Sequence, residues 1–195
     1  MKMCSTVYVD INVDEGCRWR NIYTHANRKN INKAKRNNIE VKIDQSEEAW
    51  QAFKFLYEAT LSVNKADKFY FFSPKYFEGI QEHLADNYLL VSCAIEGKII
   101  SVMLVLLGTV YAHCHLIGTQ RELMTMGVNN LLHHELILWC KKNGYKELHI
   151  GGGRSDSDDD SLLRFKKNFS DKTSALYVGE SVLNYEIYNK LYRKR

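Results

Sequence analysis

The sequence predicts an α+β fold, a mixed central sheet flanked by helices, and three observations lead there. Strand-like runs near the start, in the middle and towards the end of the chain alternate with runs of helical spacing. The middle strands follow one another directly, as antiparallel neighbours do, and a strand–helix–strand unit comes later. Only one proline, Pro74, interrupts the 195 residues, and no Gly/Ser-rich or proline-rich linker marks off a second independent domain. At this length, with 45% apolar and 12% aromatic residues, the chain can bury a full-sized core.

Each element has a local reason. Residues 6–12, TVYVDIN, alternate β-branched or aromatic with polar side chains and read as a strand. From Asp14, a helix cap, to Ala34 the spacing predicts one helix with Trp19, Ile22, Tyr23 and Ala26 on a common face. A short strand, IEVKI, follows Asn37 and Asn38. Ser46 then opens a helix over 47–63 whose apolar positions include Trp50, Phe53, Phe55, Leu56, Ala59 and Leu61. Ser73 and Pro74 make a helix start, with Tyr76, Phe77, Ile80 and Leu84 as its apolar face. Two strands turn at Glu96-Gly97-Lys98, and 109–117 gives a third. Val128 to Asn143 is a helix closed by Gly144 as a left-handed cap, KELHI is a strand, and 161–168 is helical. ALYVG is the last strand, and a basic helix begins at about Asn184.

Composition excludes several classes. The five cysteines (Cys4, Cys17, Cys93, Cys114, Cys140) are scattered without C-x-x-C spacing, which argues against a disulfide framework or a zinc site and for a reducing cytoplasm. No basic-then-apolar leader opens the chain, and the long apolar region 88–112 is broken by Glu96, Gly97 and Lys98, so it reads as a hairpin and no transmembrane segment is expected. The net charge of +4 is concentrated in RKNINKAKR (28–36) and KLYRKR (190–195), read as solvated faces, with phosphate, RNA or anionic lipid as the functional alternative.

The stretch LHIGGGRSDSDDDSLLRFKKNFS has the layout of a site. Gly151, Gly152 and Gly153 let the backbone turn or a ligand approach, and Phe165 and Phe169 share one helical face, leaving Lys166 and Lys167 on others. A cation beside a glycine-rich opening suits an anionic or acyl-bearing substrate. Weaker signals read as structural. His113 and His115 on a strand and His133 and His134 on a helix lack a carboxylate at ligand spacing, so no metal is expected. Asp156, Asp158 and Asp160 mimic the start of a calcium loop, but Ser161 and Lys167 stand where glycine and glutamate belong; a helix cap at Asp159 or Asp160 suffices.

Several segments carry a family resemblance: TVYVDI with NRKNINKAKRNNIEV, YEATLSVNKADKFYF, HCHLIGTQ, GVNNLLHHELILWCKKNGYKELHIGGG and SLLRFKKNFS. Over nearly the whole chain, and in order, they resemble the FemABX branch of the GCN5-related N-acetyltransferase (GNAT) superfamily, whose members add amino acids from aminoacyl-tRNA to peptidoglycan precursors. The resemblance implies a GNAT-like acyltransferase domain over 41–195, with 1–40 as the remnant, a strand and a helix, of an N-terminal acyltransferase-like domain. It implies no tightly bound cofactor, with aminoacyl-tRNA or acyl-CoA as donor substrate and a UDP-sugar or peptidoglycan precursor as acceptor. Pairing with a second copy would complete an acceptor cleft.

In the family's FKxxF segment the lysine stabilises charge during acyl transfer, and the pair maps onto Phe165 and Lys166. Acetyl-CoA-using relatives carry Q/R-x-x-G-x-G/A, where backbone N–H groups at a helix start bind pyrophosphate. Here RELMTMGVNNLL keeps Gly127 but has Met124 and Asn129 at the flanking small positions, so Gly127, Val128, Asn129 and Asn130 are either anion donors or an ordinary helix start. The resemblance places Gly151, Gly152, Gly153, Arg154, Tyr57, Lys65, Tyr70 and Thr119 around the substrates; Val63 and Asn64 stand where relatives have an arginine after Thr60. No general base stands out, His115 and His149 being the candidates. Three readings result: a Fem-like (amino)acyltransferase acting on an amine of a cell-wall precursor or related glycan, an acyl-CoA-dependent N-acetyltransferase, and a non-catalytic binding subunit or truncated paralogue.

Overall fold

The computed structural model describes residues 2–155, 157 and 159–192, with side chains from Cys4 onward. The strands are β1 (Lys2–Asp10), β2 (Glu40–Asp44), β3 (Tyr88–Ile95), β4 (Lys98–Leu107), β5 (Tyr111–Thr119), β6 (Glu147–Gly152) and β7 (Thr173–Tyr177). They form one sheet in the order β2-β3-β4-β5-β6-β1-β7, antiparallel throughout except for the parallel pair β5 and β6. The helices are α1 (Glu15–Cys17), α2 (His25–Arg36), α3 (Glu47–Val63), α4 (Pro74–Leu84), α5 (Val128–Lys142), α6 (Ser161–Lys167) and α7 (Tyr185–Tyr192). The expected mixed sheet flanked by helices is what forms.

β3, YLLVSCAI, is buried along most of its length because helices cover both of its faces, which explains its nearly unbroken apolar run. Tyr88 and Leu90 pack with α3 and α4, whereas Leu89 and Val91 pack with α2 and α5. Its turn into β4 has two positive-φ residues, Glu96 (51°) and Gly97 (77°), the backbone that matches strand twist in a two-residue hairpin. On the α3/α4 side, Trp50 and Phe53 are fully buried in edge-to-face contact at 5.6 Å, and the Trp50 indole N–H donates to Tyr88 Oη at 3.3 Å. Ser46 Oγ accepts from the Ala49 N–H and starts α3 as expected. Gly144 (φ 78°) ends α5, with the Tyr145 N–H reaching back to the Cys140 carbonyl at 3.0 Å.

Residues 14–34 depart from the single helix that the spacing predicts. Asp14 caps only α1, through the Cys17 N–H at 2.9 Å; a π-helical turn follows over Arg18–Ile22, Tyr23 is extended, and Thr24 caps a new start for α2. The break lets two polar-ended side chains be buried with partners. Arg18 donates to the Asp10 carbonyl at 2.5 Å, and Tyr23 packs among Trp19, His134 and Phe169. Carbonyls freed at the break, those of Trp19 and Tyr23, are taken up by the Arg28 guanidinium. Ala26 is therefore exposed, while Ile31 and Ala34 face the core as expected.

Smaller differences concern ends. β5 starts at Tyr111 and runs on to Thr119, β7 begins at Thr173, and β6 continues into the glycine triplet. Ser73 occupies the cap position of α4 without a side-chain bond. In the basic run, Lys33 donates to the Thr125 carbonyl and Lys35 pairs with Glu135 at 3.2 Å. Of the calcium-like run, Asp156 and Asp158 lie outside the described residues, as do the last three residues of the basic tail. Among the described residues, no helix is long and apolar enough to cross a membrane.

Candidate active site

The parallel strands β5 and β6 pair only at Tyr111–Glu147, Ala112–Leu148 and His113–His149, although both continue beyond that point. They part there, and β5 is further bent by a bulge: Leu104 pairs with Leu116 and Val105 with Cys114, leaving His115 as the extra residue. The alternation resets at the bulge, so Cys114 and Ile117 join the α5-side core while Leu116 joins the α3-side core. A close helix contact fixes the outer end of β5. A β-carbon at Gly118 would lie 2.3 Å from the Tyr57 backbone nitrogen, and the Thr119 N–H donates to Thr60 Oγ1 at 3.0 Å.

A cavity of about 520 Å³ fills the fork. Its apolar walls are Met103, Leu116, Ile117 and Ile150 from the sheet, Leu162 and Phe165 from α6, and Tyr57, Leu61 and Tyr70 from α3 and the segment after it. Polar groups enter at a few points: His115, Asn129, Asn130, His133, Arg154, Ser161 and Lys166. An apolar concavity with a few convergent polar groups is the usual form of a small-molecule site.

Lys166 is held with care. Its Nζ donates to the Gly152 carbonyl at 2.7 Å, and burial pulls its pKa down from the ordinary lysine value. Positioning comes from Asp160, whose Oδ1 accepts from the Leu162 and Leu163 N–H groups at 2.9 Å, capping α6, while Oδ2 accepts from Arg154 and Ser155. These backbone bonds hold the Asp160 carboxyl below the usual carboxylate range. Phe165 and Phe169 anchor the same helix turn against His133, the latter ring stacking at 5.0 Å. Beside the lysine, Gly151 has φ 80° and a β-carbon there would lie 2.9 Å from Nζ; Gly152 presses on the Ser5 carbonyl and Gly153 on Asp160. The glycines thus serve strand pairing and the seating of Lys166 and Asp160.

Of the histidines around the fork, His113, His115 and His149 are half-buried and His133 is buried. His133, bonded through Nδ1 to the Asn129 carbonyl at 2.7 Å, is pushed down to about 4 by burial. His113 and His149 share a 2.7 Å Nδ1–Nδ1 hydrogen bond, and burial first, then His149, brings His113 to about 4. All are neutral at pH 7. His115 Nε2 lies 2.5 Å from Tyr76 Oη, and burial lowers its pKa as well.

Of the residues singled out in sequence, the cavity gathers Lys166, Phe165, His115, Asn129, Asn130, Arg154, Tyr57 and Tyr70. His149 is not on its wall but pairs with His113. Gly127 and Val128 also lie off it. Gly127 (φ 80°) is pressed on α2, where a β-carbon would come within 2.2 Å of the Asn30 carbonyl oxygen, and Val128 is fully buried in the core. Thr119 is buried, bonding Ser101 and Asn129 Oδ1, and so supports the cavity from behind. Lys65 is exposed in a left-handed turn (φ 49°) off the cavity. Sequence reasoning missed Tyr76, which it placed among apolar positions of α4; its hydroxyl, which needs a partner when half-buried, was the available signal. Among the described residues, no group of three or more His, Cys, Asp or Glu could hold a metal ion.

The chain matches the family model described as an acetyltransferase (GNAT) domain over residues 25–167. No curated protein matches it. Similar solved structures include FemX, with a TM-score of 0.75 at 14% identity over 89% of this chain and 60% of that one. The C-terminal domain of a protein assigned as a lysylphosphatidylglycerol synthetase from Agrobacterium fabrum gives a TM-score of 0.65 at 15% identity, over 90% of this chain and 59% of that one. An aminoglycoside acetyltransferase, meta-AAC0020, from an uncultured soil metagenomic sample gives 0.56 at 15% identity, over 75% of this chain and 98% of that one. At these identities the likeness is one of fold, and the chain spans about 60% of the length of FemX.

Proposed function

Because the chain belongs to the acetyltransferase (GNAT) family, we propose that it is an acyltransferase that moves an acyl or aminoacyl group from aminoacyl-tRNA or a thioester onto an amine of a cell-wall precursor or related glycan. The observation that carries this reading is Lys166, whose ammonium is fixed on the Gly152 carbonyl in the wall of an otherwise apolar cavity at the β5–β6 fork. Acyl transfer needs no covalent nucleophile. The acceptor amine attacks the carbonyl carbon, a C–N bond forms, and the C–O or C–S bond to the donor breaks as the proton shed by the amine passes to the leaving group. Negative charge gathers on the carbonyl oxygen in between, and a cation in low-dielectric surroundings stabilises it far more than one in water. Met103, Leu116, Ile117 and Leu162 offer the acyl chain an apolar wall and keep water from the reacting carbon. Tyr57 and Tyr70 face the acceptor, and residues 1–40 are the remnant of an N-terminal domain.

A second reading, acyl-CoA as donor, draws on Asn129 and Asn130, which line the cavity at the start of α5, where an anion is favoured. Titrating the purified chain with acetyl-CoA and, separately, with a charged tRNA mixture tests both. Salt-sensitive tRNA binding alone supports the Fem-like donor. Micromolar CoA binding alone replaces it with the acetyltransferase reading, and silence from both overturns the two together.

A further inference from the structure

His115 is the residue that the β5 bulge re-aims, and its ring lines the cavity. One ring nitrogen is already committed, since Nε2 lies 2.5 Å from Tyr76 Oη. The phenol is itself immobilised, stacked on Phe72 at 4.3 Å and set edge-on to Phe77 at 5.3 Å. Nδ1 of His115 has no protein partner among the described residues, so it is the nitrogen left for a ligand.

Two arrangements of the hydrogens fit this distance. In one, the His115 Nε2–H donates to the phenol, Nδ1 is a bare lone pair, and the phenol hydrogen has no acceptor among the described residues. In the other, the phenol donates to Nε2 and Nδ1 carries the proton. The second pairs the phenol hydrogen with the bare imidazole nitrogen, the stronger acceptor of the two, and turns the Nδ1–H into the cavity where a substrate oxygen can accept it; the first leaves the phenol hydrogen without a protein acceptor and turns only a lone pair into the cavity. We propose that Tyr76 locks His115 as the Nδ1–H tautomer, so that the neutral imidazole donates a hydrogen bond into the cavity and acts as an electrophile on the acyl carbonyl, not as a general base.

This rests on the acyl-transfer reading and deepens it. Lys166 from α6 and His115 from β5 would share the developing oxyanion, one as a cation and one as a neutral donor. Burial keeps His115 neutral at pH 7, and the nearest ring on its own strand, His113 at 5.9 Å, is neutral too. Tyr76 is then a positioning residue. No side chain takes the amine's proton in this scheme, so the acceptor arrives as the neutral amine and its proton leaves with the departing hydroxyl or thiol.

The test is long-range ¹H–¹⁵N NMR on the histidine-labelled full chain at pH 7.5, without substrate, with His115 assigned from His115→Gln. Nδ1 protonated and Nε2 bare in the wild type is the expected result, and Tyr76→Phe should move the population towards the Nε2–H form that free histidine favours. A wild-type Nε2–H tautomer, or an identical tautomer in a folded Tyr76→Phe, overturns the proposal. Should Tyr76→Phe fail to fold, the wild-type spectrum still decides. Because no donor is needed, this result is independent of the CoA and tRNA titrations. Once a donor is in hand, His115→Asn, whose amide can place an N–H near the Nδ1 position, should retain about ten-fold more kcat than His115→Gln with KM little changed; the reverse order counts against the donor role.

Discussion

On the hairpin half of the sheet, β3 and β4 stay paired from Tyr88 to Ile95 with one bulge, at the buried Ile100 near the turn, and Trp50, Phe53 and Phe77 fill the layer above them with rings in edge contact. At the β5–β6 fork, pairing stops after His113 and His149, and a cavity walled partly by His115, His133, Asn129 and Lys166 takes the place of side-chain packing. The first region satisfies local propensity, pattern and packing together. The second breaks the strand ladder, puts its bulge at a cavity-lining histidine and holds polar groups partly away from water, the kind of local conflict that sites impose on an otherwise consistent fold. Stability should therefore be concentrated in the hairpin half and chemistry in the fork.

The largest effect expected on this division is from Phe53→Ala. It empties a fully buried position among three aromatic neighbours, Trp50, Tyr57 and Phe77, and should cost about 3–5 kcal/mol in urea unfolding, enough to unfold much of a marginal domain. An intact transition midpoint would show that the aromatic layer does not carry the fold. Acid should act next, and through the fork. His133 titrates at about 4 in the folded chain and near 6.5 unfolded, so between those values the unfolded state binds more protons. Stability is complete above about pH 6.5 and declines as pH falls towards 4, by up to about 1.4 kcal/mol per pH unit for one such group. Urea midpoints at pH 7 and 5 should differ, and His133→Gln should reduce the difference; a flat profile would contradict the dry placement of His133. Smallest of all should be Lys35→Ala, which removes a half-exposed ion pair with Glu135 and should change stability by less than about 1 kcal/mol.

The same division governs what could be read from the sequence. α3, the hairpin turn at Glu96-Gly97 and the Gly144 cap were legible because period, cap chemistry and positive-φ residues all point one way there. The break at Thr24 was not, since apolar spacing runs through Ile22 and Tyr23 and masks the cap; burial of Arg18 and Tyr23, a tertiary gain, decided it. The fork was legible in its parts, FKKNF and the glycine triplet, but not in its assembly. A bulge that singles out His115, a strand pair that stops at His149, and a tyrosine on α4 that meets a histidine 39 positions later leave no periodic trace. Gly127 shows a different ambiguity: the glycine that resembles part of a pyrophosphate loop is also needed for the close contact with Asn30.

The most direct measurement of the central claim is acyl-transfer kinetics of Lys166→Met alongside its thermal unfolding. Replacing a partly buried ammonium by an apolar chain of similar length should leave the melting temperature unchanged or raise it, while kcat falls about 10²–10³-fold, the usual loss on removing an oxyanion-stabilising group. Full activity in a folded Lys166→Met, or a loss that merely follows unfolding, would contradict the assignment of the fork as the catalytic site.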